Sequence, residues 1–231
     1  GVLNCCTKLC NVLLNTTKYS MQDSMLFSIG NEVISCWSKD SHIILPMGVT
    51  AIGNRAFKHC YCLTSIIISE TVTSIGDSAF EGCKSLTSII IPETVTSIGN
   101  RAFEGCGTLD LITIPGSLTS IGDMVFKGCC ALDSITIPET VTSIGDGAFE
   151  GCGSLTSIIV PNSVLNIGGW AFRDCCSITS VTIPETVTSI SNSAFEGCKS
   201  LASITIPETV TSIGNSAFAY CKSLASITIP E

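Results

Sequence analysis

Charge and histidine are scarce in this sequence, and their scarcity excludes several classes of function. Only 13% of the 231 residues are charged, and the net charge is −8. No run of lysine and arginine is present, which argues against binding to nucleic acid or to an anionic membrane. The only histidines are His42 and His59, and no Cys-x-x-Cys pair occurs, so the ligand set of a zinc site is missing.

Long apolar runs and catalytic motifs are absent as well. No window holds 18 consecutive apolar residues, so the sequence predicts no transmembrane helix and no membrane insertion. No glycine loop that could cradle a phosphate is present, and no nucleophile motif surrounds a serine or cysteine near the histidines. We therefore expect a protein that is not an enzyme and that uses no cofactor and no metal.

What the sequence does contain is a repeat of 23 residues. Phenylalanine recurs eight times at this interval, from Phe57 to Phe218, and a cysteine follows each of them after three residues. Proline marks the same frame, with Ser69 in one of its places. No insertion or deletion breaks the frame between Ser41 and Glu231. A constant period of this length is typical of a solenoid, in which each coil packs on its neighbours.

One period, residues 63–85, predicts how a coil is built. Inward residues such as Ile66 alternate with outward ones, which indicates a short strand with one buried side. The VTSIG stretch that ends in Ile75 and a glycine is spaced for a second, shorter inward segment. The DSAFEGC stretch that follows predicts one helical turn with Asp77 as its cap. Stacked coils would then align equivalent apolar side chains in ladders, about 4.8 Å apart.

The segment LTSIIIPETVTSIGNRAFEGC, residues 86–106, closely resembles the BspA-like leucine-rich repeats of bacteria and protists. Their pattern runs from a leucine through a strand and Ile-Pro to V-x-x-I-G-x-x-A-F-x-x-C. The resemblance implies a right-handed leucine-rich-repeat coil with short parallel β-strands on one face, a second short strand and a helical turn per coil. It also implies a surface or secreted adhesion or interaction module, because family members are mostly described as such.

The resemblance extends upstream and suggests three regions. Residues 1–25 lie outside the repeat frame and are interpreted as an N-terminal cap or linker, which would cover the apolar end of the first coil. Residues 26–62 resemble the hairpin-like starter unit of such arrays together with the first coil. Residues 63–231 hold the regular repeats and stop after a strand, in an uncapped partial coil.

Of the 15 cysteines, eight follow the repeat frame and seven lie outside it. Eight lie in frame at an inward position, where we interpret them as free thiols that fill space. Cys5, Cys6, Cys10 and Cys36 lie outside the frame near the N-terminal unit and are candidates for one or two disulfides, which would fit an extracellular or cell-surface location. Asn15 begins the only N-x-S/T sequon and is a candidate N-glycosylation site.

Function must be sought among the residues that point outward. Trp170 interrupts the repeat pattern beside an inward phenylalanine and is a candidate hot spot for a partner. A row of glutamates on the predicted helical turns, broken by Lys127 and Arg173, is expected to repel from coil to coil. The candidate partner-binding residues on the strand face are Ser134, Thr136, Ser157, Ile159, Ser180 and Thr182.

The leading interpretation is a non-catalytic interaction or adhesion module that binds an unknown protein or glycan. A catalytic site needs one asymmetric constellation, whereas repetition supplies eight equivalent copies. The alternative is a structural protein that self-associates end to end into filaments through the uncapped C-terminal coil.

Overall fold

The two inward stretches of each repeat form two short strands, and the coils stack these strands into parallel sheets. The computed structural model describes residues 19–22, 24–36 and 38–229. Within them the chain winds through about eight coils, each with three sides. We call these sides the main face, the second face and the turn face, and number the strands in chain order. The predicted repeat solenoid with two strands per coil is confirmed.

A small antiparallel unit precedes the coils. It consists of β1 (Tyr19–Gln22), β2 (Met25–Ser28) and β3 (Glu32–Cys36). β1 and β2 pair antiparallel, as do β2 and β3, and β3 then pairs parallel with the first strand of the second face. The starter unit therefore continues the second face rather than the main face.

The main face carries strands of two or three residues. Its strands are in register one repeat apart, so Ile43 lies beside Ile66 and Ile66 beside Ile89. They are β4 (His42–Ile44), β6 (Ser65–Ile67), β8 (Ser88–Ile90), β10 (Leu111–Thr113), β13 (Ile158–Ile159), β15 (Ser180–Thr182) and β17 (Ser203–Thr205).

The second face carries a two-residue strand in each coil, paired in the same register. These strands are β5 (Ala51–Ile52), β7 (Ser74–Ile75), β9 (Ser97–Ile98), β11 (Ser120–Ile121), β12 (Ser143–Ile144), β14 (Asn166–Ile167), β16 (Ser189–Ile190) and β18 (Ser212–Ile213).

The core lies between the three faces and is built of equivalent layers of apolar side chains, one layer per coil. The eight repeated phenylalanines stack ring on ring, with centroids 5.1 Å apart at the closest step, Phe57 to Phe80. All but Phe218 are buried to 1% exposure or less. Full burial of one such side chain contributes about 1.5–3 kcal/mol. One coil cannot bury its own ring, so this stabilisation comes from contact between neighbouring coils.

The turn face corrects the prediction of a helical turn, because no helix is present in the described residues. Ser78 and Gly82 both have positive φ, 55° and 70°, so the right-handed helical conformation cannot run through the segment. The stretch forms successive β-turns instead, such as Glu81 N to Ser78 O at 3.1 Å. Asp77 caps no helix, since its carboxylate accepts the backbone N–H of Asn100 in the next coil at 2.8 Å.

Backbone N–H groups that are not hydrogen-bonded within the turns donate to carbonyl oxygens of the next coil. Phe80 N donates to Ala102 O at 2.7 Å, and Gly82 N donates to Glu104 O at 2.7 Å. On the second face the direction is reversed, because Thr73 N donates back to Thr50 O. Backbone hydrogen bonds between coils thus occur on the turn face as well as on the two strand faces.

The strand ladders are interrupted in the middle of the solenoid. In the described chain, the first sheet of the second face ends at β9, and the next begins at β11. The main face stops at β10 and resumes at β13, so that the segment holding Ser134 and Thr136 is not part of a strand. The second face is interrupted again between β14 and β16.

Larger core side chains in the fourth coil, residues 109–131, explain the interruption between β9 and β11. Leu118 and Val125 are buried there at positions that Val95 and Ala102 occupy one repeat earlier. A close-packed interior has no room for the added methyl groups, so the coils separate. The phenylalanine step at this point, Phe103 to Phe126, is the widest of the stack at 5.8 Å. A small void of about 10 Å³ adjoins these residues.

Candidate partner-binding face

Exposed aliphatic side chains form a continuous row on the main face. In each strand the middle residue points into the core and its two neighbours point outward. The outward residues Ile44, Ile67 and Ile90 lie side by side in register and are 70%, 61% and 72% exposed. We call these three residues the isoleucine row. Leu111, 60% exposed, lies beside Ser88 on the same surface and extends the apolar area.

Short polar side chains border the isoleucine row on one side. His42, Ser65 and Ser88 occupy the other outward position of the same strands. His42 Nδ1 and Ser65 Oγ lie 2.7 Å apart, within hydrogen-bonding distance, which orients both side chains. These residues keep the surface beside the row low, so a partner can reach the isoleucines directly.

Two depressions lie along the main face, beside the loops that follow its strands. The first has a volume of about 290 Å³ and is lined by Ile67 and Ile90, with Glu70 and Pro92 at its margin. The second, of about 430 Å³, is lined by Leu111, Thr113 and, across the gap between β10 and β13, the segment around Thr136. We call the two depressions together the groove, and its larger part lies at the main-face interruption.

The margin of the groove is acidic. The loop position after each inward Ile-Pro or equivalent pair holds an exposed glutamate in five coils. Glu93 Oε2 accepts the backbone N–H of Gly116 at 2.8 Å, so its carboxylate is fixed along the margin. The positions that carry this charge are Glu70, Glu93, Glu139, Glu185 and Glu208.

The structure places the six predicted strand-face residues on the main face, all of them exposed. Ser180 and Thr182 are in β15, and Ile159, in β13, is 79% exposed. Ser134 and Thr136 line the wider part of the groove in the gap of the sheet. Whether any of these residues binds a partner stays a prediction.

Sequence reasoning did not single out the isoleucine row, although its signal was present. The first three coils read HIILP, SIIIS and SIIIP, where most later repeats read SITIP or SVTIP. The extra isoleucine is the outward residue of the strand. The serines and threonines of the later coils received more weight because they recur more often.

Trp170 lies apart from this surface. It belongs to the turn face, is 43% exposed, and has φ of 55°. Its backbone N–H donates to Asn192 O at 3.0 Å. The structure thus does not bring Trp170 together with the main-face candidates, and its role as a hot spot stays a separate prediction.

The charges of the turn face attract one another, contrary to the repulsion expected from the glutamate row. The interrupting residues are ion-pair partners, with Lys127 Nζ 2.9 Å from Glu150 and Arg173 between Glu150 and Glu196 at 3.7 and 3.8 Å. Lys58 Nζ lies 2.8 Å from Glu81. Burial opposes ionisation of Glu81, but hydrogen bonds from Lys58 and Ser78 outweigh it and lower its pKa. Partly exposed pairs of this kind contribute about 0–1 kcal/mol each.

The in-frame cysteines are free thiols, as predicted, and each has a specific contact. The thiol of Cys83 donates to Phe57 O at 3.1 Å, and that of Cys106 donates to Phe80 O at 3.1 Å. Cysteine thus fills the space and also satisfies a second lone pair of the phenylalanine carbonyl in the preceding coil. Burial raises the pKa of the Cys129 and Cys152 thiols, which keeps them protonated and unreactive.

Several predicted positions lie outside the described residues. Cys5, Cys6, Cys10 and Asn15 belong to this group, so their disulfides and glycosylation stay predictions. Cys36 is buried, and its thiol is free in the structure.

The described segments contain no cluster of three or more metal-binding side chains. In the same segments, no helix has the length and apolar character needed to cross a bilayer.

Comparison with solved structures identifies similar solenoids. A leucine rich repeat protein of T. pallidum, TpLRR, is 29% identical, with a TM-score of 0.65 over 90% of this chain and 87% of its own. A leucine rich cell surface protein of Faecalibacterium prausnitzii A2-165 is 26% identical, with a TM-score of 0.60 over 94% of this chain and 77% of its own. The pneumococcal vaccine antigen PcpA, 18% identical, has the same fold, with a TM-score of 0.50 over 94% of this chain and 71% of its own.

No curated protein matches the sequence significantly. The sequence does match the BspA type leucine rich repeat region, in six copies, over residues 7–132 and 125–231. The match covers nearly the whole chain, and the structure shows the corresponding repeats as stacked coils. The chain therefore belongs to the BspA-type leucine-rich repeat family.

Proposed function

We propose that this chain is a non-catalytic interaction module of surface or secreted type that binds a protein partner through the main face. The isoleucine row is the observation on which the proposal rests. Its three side chains lie side by side, with Leu111 diagonal to Ile90, in a protein whose other outward strand positions are mostly serine and threonine. Contiguous exposed apolar surface is typical of interaction sites.

The energetics favour a partner that covers the row. Burial of an exposed isoleucine side chain stabilises a complex by about 1.5–3 kcal/mol. Ile44, Ile67 and Ile90 lie in one register on adjacent strands, so a single partner surface can bury them together. Backbone hydrogen bonds hold β6 and β8 on both sides and β4 on one side, so little conformational entropy is lost when these strands are contacted.

The chemistry of the groove favours a protein over a glycan, although both were considered from the sequence. The row is aliphatic, and its margin carries Glu70 and Glu93. A polypeptide with apolar side chains next to lysine or arginine would complement both features. We infer a partner of this kind, on the outside of the cell, in keeping with the description of the Faecalibacterium prausnitzii relative as a cell surface protein.

Panning of a phage-displayed library of random peptides against the immobilised chain tests this proposal. We expect enriched peptides to combine apolar and basic residues. The Ile67→Asp/Ile90→Asp double variant should weaken their binding at least about 10-fold, because it places charge where apolar groups must be buried. Thr96→Asp, an exposed change on the second face, serves as the matched control and should leave binding unchanged.

Two results would contradict the proposal. Equal binding of the enriched peptides to the double variant and to the native chain would place the site elsewhere. A glycan-array ligand whose binding depends on Ile67 and Ile90 would assign the face to carbohydrate. Loss of folding is monitored by circular dichroism, so that an unfolded variant is not taken for a binding defect.

End-to-end assembly, the alternative drawn from the sequence, stays a prediction. Sedimentation velocity over a concentration series checks it. A filament-forming protein would show species that grow with concentration, whereas a single sharp boundary at high concentration would contradict assembly.

A further inference from the structure

Cys36 and Cys60 form the first step of the cysteine ladder, and this step differs from the later ones. Cys36 ends β3, and its backbone N–H donates to Ala56 O at 2.8 Å, which fixes the starter unit against the first coil. The Cys60 thiol lies 3.8 Å from Cys36 O, whereas the Cys83 thiol lies 3.1 Å from its carbonyl acceptor. The carbonyl therefore holds the Cys60 thiol more loosely than the next coil's thiol is held.

The thiol groups of Cys36 and Cys60 are also in contact. The side chain of Cys60 hydrogen-bonds to that of Cys36, and this bond is the main reason that the pKa of Cys36 is lowered. The backbone of Ser38 contributes in the same direction, while burial and the charge of Asp40 oppose. The side chains of Cys83 and Cys106 also hydrogen-bond, but there the bond, together with burial, raises the pKa of Cys83.

The two thiols differ in their access to solvent. Cys60 is half-buried, whereas Cys36 is fully buried. Cys106 and Cys129 in the middle of the ladder are fully buried as well. Cys60 is therefore the more accessible of the two to a dissolved oxidant. A partly accessible thiol can form a mixed disulfide, and a neighbouring thiol of lowered pKa can then resolve it.

We propose that Cys36 and Cys60 form an intramolecular disulfide under oxidising conditions, and that this bond locks the starter unit onto the first coil. The bond would replace the S–H···S contact already present in the reduced protein. The sequence suggested a disulfide of Cys36 with Cys5, Cys6 or Cys10. The proposed bond instead joins Cys36 to Cys60 of the ladder.

The chemistry needs a disulfide oxidant such as oxidised glutathione. The Cys60 thiolate attacks one sulfur of glutathione disulfide, forms a mixed disulfide and releases one glutathione thiolate. The Cys36 thiolate then attacks the Cys60 sulfur of the mixed disulfide and releases the second glutathione thiolate. The two protons lost by the cysteines pass through solvent to the two glutathione thiolates. The two protein thiols are oxidised, and glutathione disulfide is reduced to two glutathione molecules.

Mass mapping of the folded full-length chain tests the proposal. The native protein is treated with oxidised glutathione, the remaining thiols are alkylated, and the chain is cleaved with trypsin and chymotrypsin. Chymotrypsin cuts after Tyr61 and separates Cys60 from Cys62, so the linked pair can be assigned. We expect a peptide pair joined through Cys36 and Cys60, with a loss of about 2 Da relative to the two reduced peptides.

Hydrogen exchange measures the lock. Because the bond closes a loop that includes β4 and β5, amides of β3 should exchange on the order of 100-fold more slowly in the oxidised than in the reduced chain. Cys60→Ser should remove both the linked peptide and the protection. Cys62→Ser is the matched control, because Cys62 is exposed and two residues away, and it should change neither.

Other linkages would overturn the inference. These are a bond between Cys60 and Cys62, a bond between Cys60 and Cys83, or a bond from Cys36 to Cys5, Cys6 or Cys10. Glutathione that remains on Cys60 without further reaction would overturn it as well. The mapping uses the native sequence, so it gives an answer even if a serine variant does not fold.

Discussion

The turn face and the strand faces of the solenoid differ at the fourth coil, residues 109–131, where strand pairing is interrupted but the turn-face hydrogen bonds continue. Between β9 and β11 the second-face sheet stops, yet Phe103 N still donates to Val125 O at 2.9 Å on the turn face. A second turn-face bond lies two residues earlier in each coil, where Arg101 N donates to Asp123 O at 2.9 Å. The side that was expected to be an isolated helical turn thus keeps its backbone hydrogen bonds between these coils, as does the main face, where β8 pairs with β10.

The difference follows from where the larger side chains lie. Leu118 lies two residues before β11 and lines the same small void as Ile98 on the second face. The turn face carries two residues of positive φ per coil, such as Ser78 and Gly82. Alternate backbone N–H groups of its turns donate to the next coil, so this connection does not depend on paired strands. Thiol contacts from each ladder cysteine to the preceding coil reinforce it. The coils can therefore separate on one side while remaining joined on another.

Alkaline pH should break the turn face first and is the largest effect we expect. Burial is the largest or second-largest cause that raises the pKa of Cys83, Cys129, Cys152, Cys175 and Cys198. A thiol whose folded pKa is raised contributes stability below its unfolded pKa of about 8.5, and loses that contribution as pH rises from there toward the folded pKa. Five such groups should lower the free energy of unfolding by about 7 kcal/mol per pH unit in this window.

Denaturant unfolding between pH 8 and pH 11 measures this slope. A variant with alanine at Cys129, Cys152 and Cys175 is the control, and it should retain about two fifths of the pH dependence because two of the five thiols remain. A slope that is the same in both proteins would assign the alkaline instability to lysine and tyrosine residues rather than to the ladder.

The close approach of coils on the second face can be tested with a single methyl group. A Cβ added to Gly145 would lie 2.5 Å from Asp123 Oδ1 and 2.7 Å from Asp123 N. We expect Gly145→Ala to lower the free energy of unfolding by about 1–3 kcal/mol, because the neighbouring backbone must move. Gly153→Ala is the matched control, since a Cβ there meets nothing within 4 Å, and should change stability by about 0.5 kcal/mol or less. Equal losses in both variants, measured by urea unfolding, would mean that the contact is not tight.

Periodicity was sufficient to predict most of the fold. A ladder residue such as Phe80 recurs in one frame, so its burial and its contact with Phe103 follow from the sequence alone. The turn face was predicted wrongly because DSAFEGC fits a capped helical turn locally, while the positive φ of Ser78 is imposed by bonds to the next coil. Serine has no intrinsic preference for that conformation, so the tertiary contacts override local propensity.

The candidate site was less predictable, because it depends on departures from the repeat. The exposure of Ile67 and Ile90 could be inferred from strand alternation. The wider part of the groove could not, since it arises where the segment of Ser134 and Thr136 leaves the sheet. The shared location of Cys36 and Cys60 also required the structure, because Cys36 lies outside the repeat frame.

Reversal of the bulky pair in the fourth coil should produce the smallest effect and should sharpen the comparison most. The Leu118→Val/Val125→Ala variant restores the side chains of the preceding coil, so β9 and β11 should pair. Three buried carbons are lost at about 0.8 kcal/mol each, while regained strand bonds and packing offset them, so net stability should change by about 1 kcal/mol or less. Amides of Ser97, Ile98, Ser120 and Ile121 should exchange about 10-fold more slowly.

The reciprocal change supplies the control. Val95→Leu/Ala102→Val places the same bulk in the third coil, which should open the pairing of β7 with β9 while Phe80 N remains bonded to Ala102 O on the turn face. Hydrogen exchange read by mass spectrometry compares both variants with the native chain. If the first variant loses about 2 kcal/mol or more without added protection at β9 and β11, the side-chain volumes do not cause the interruption. If the second variant instead speeds amide exchange on the turn face, the strand faces are the stronger connection between coils. That result would be the reverse of what the native structure indicates.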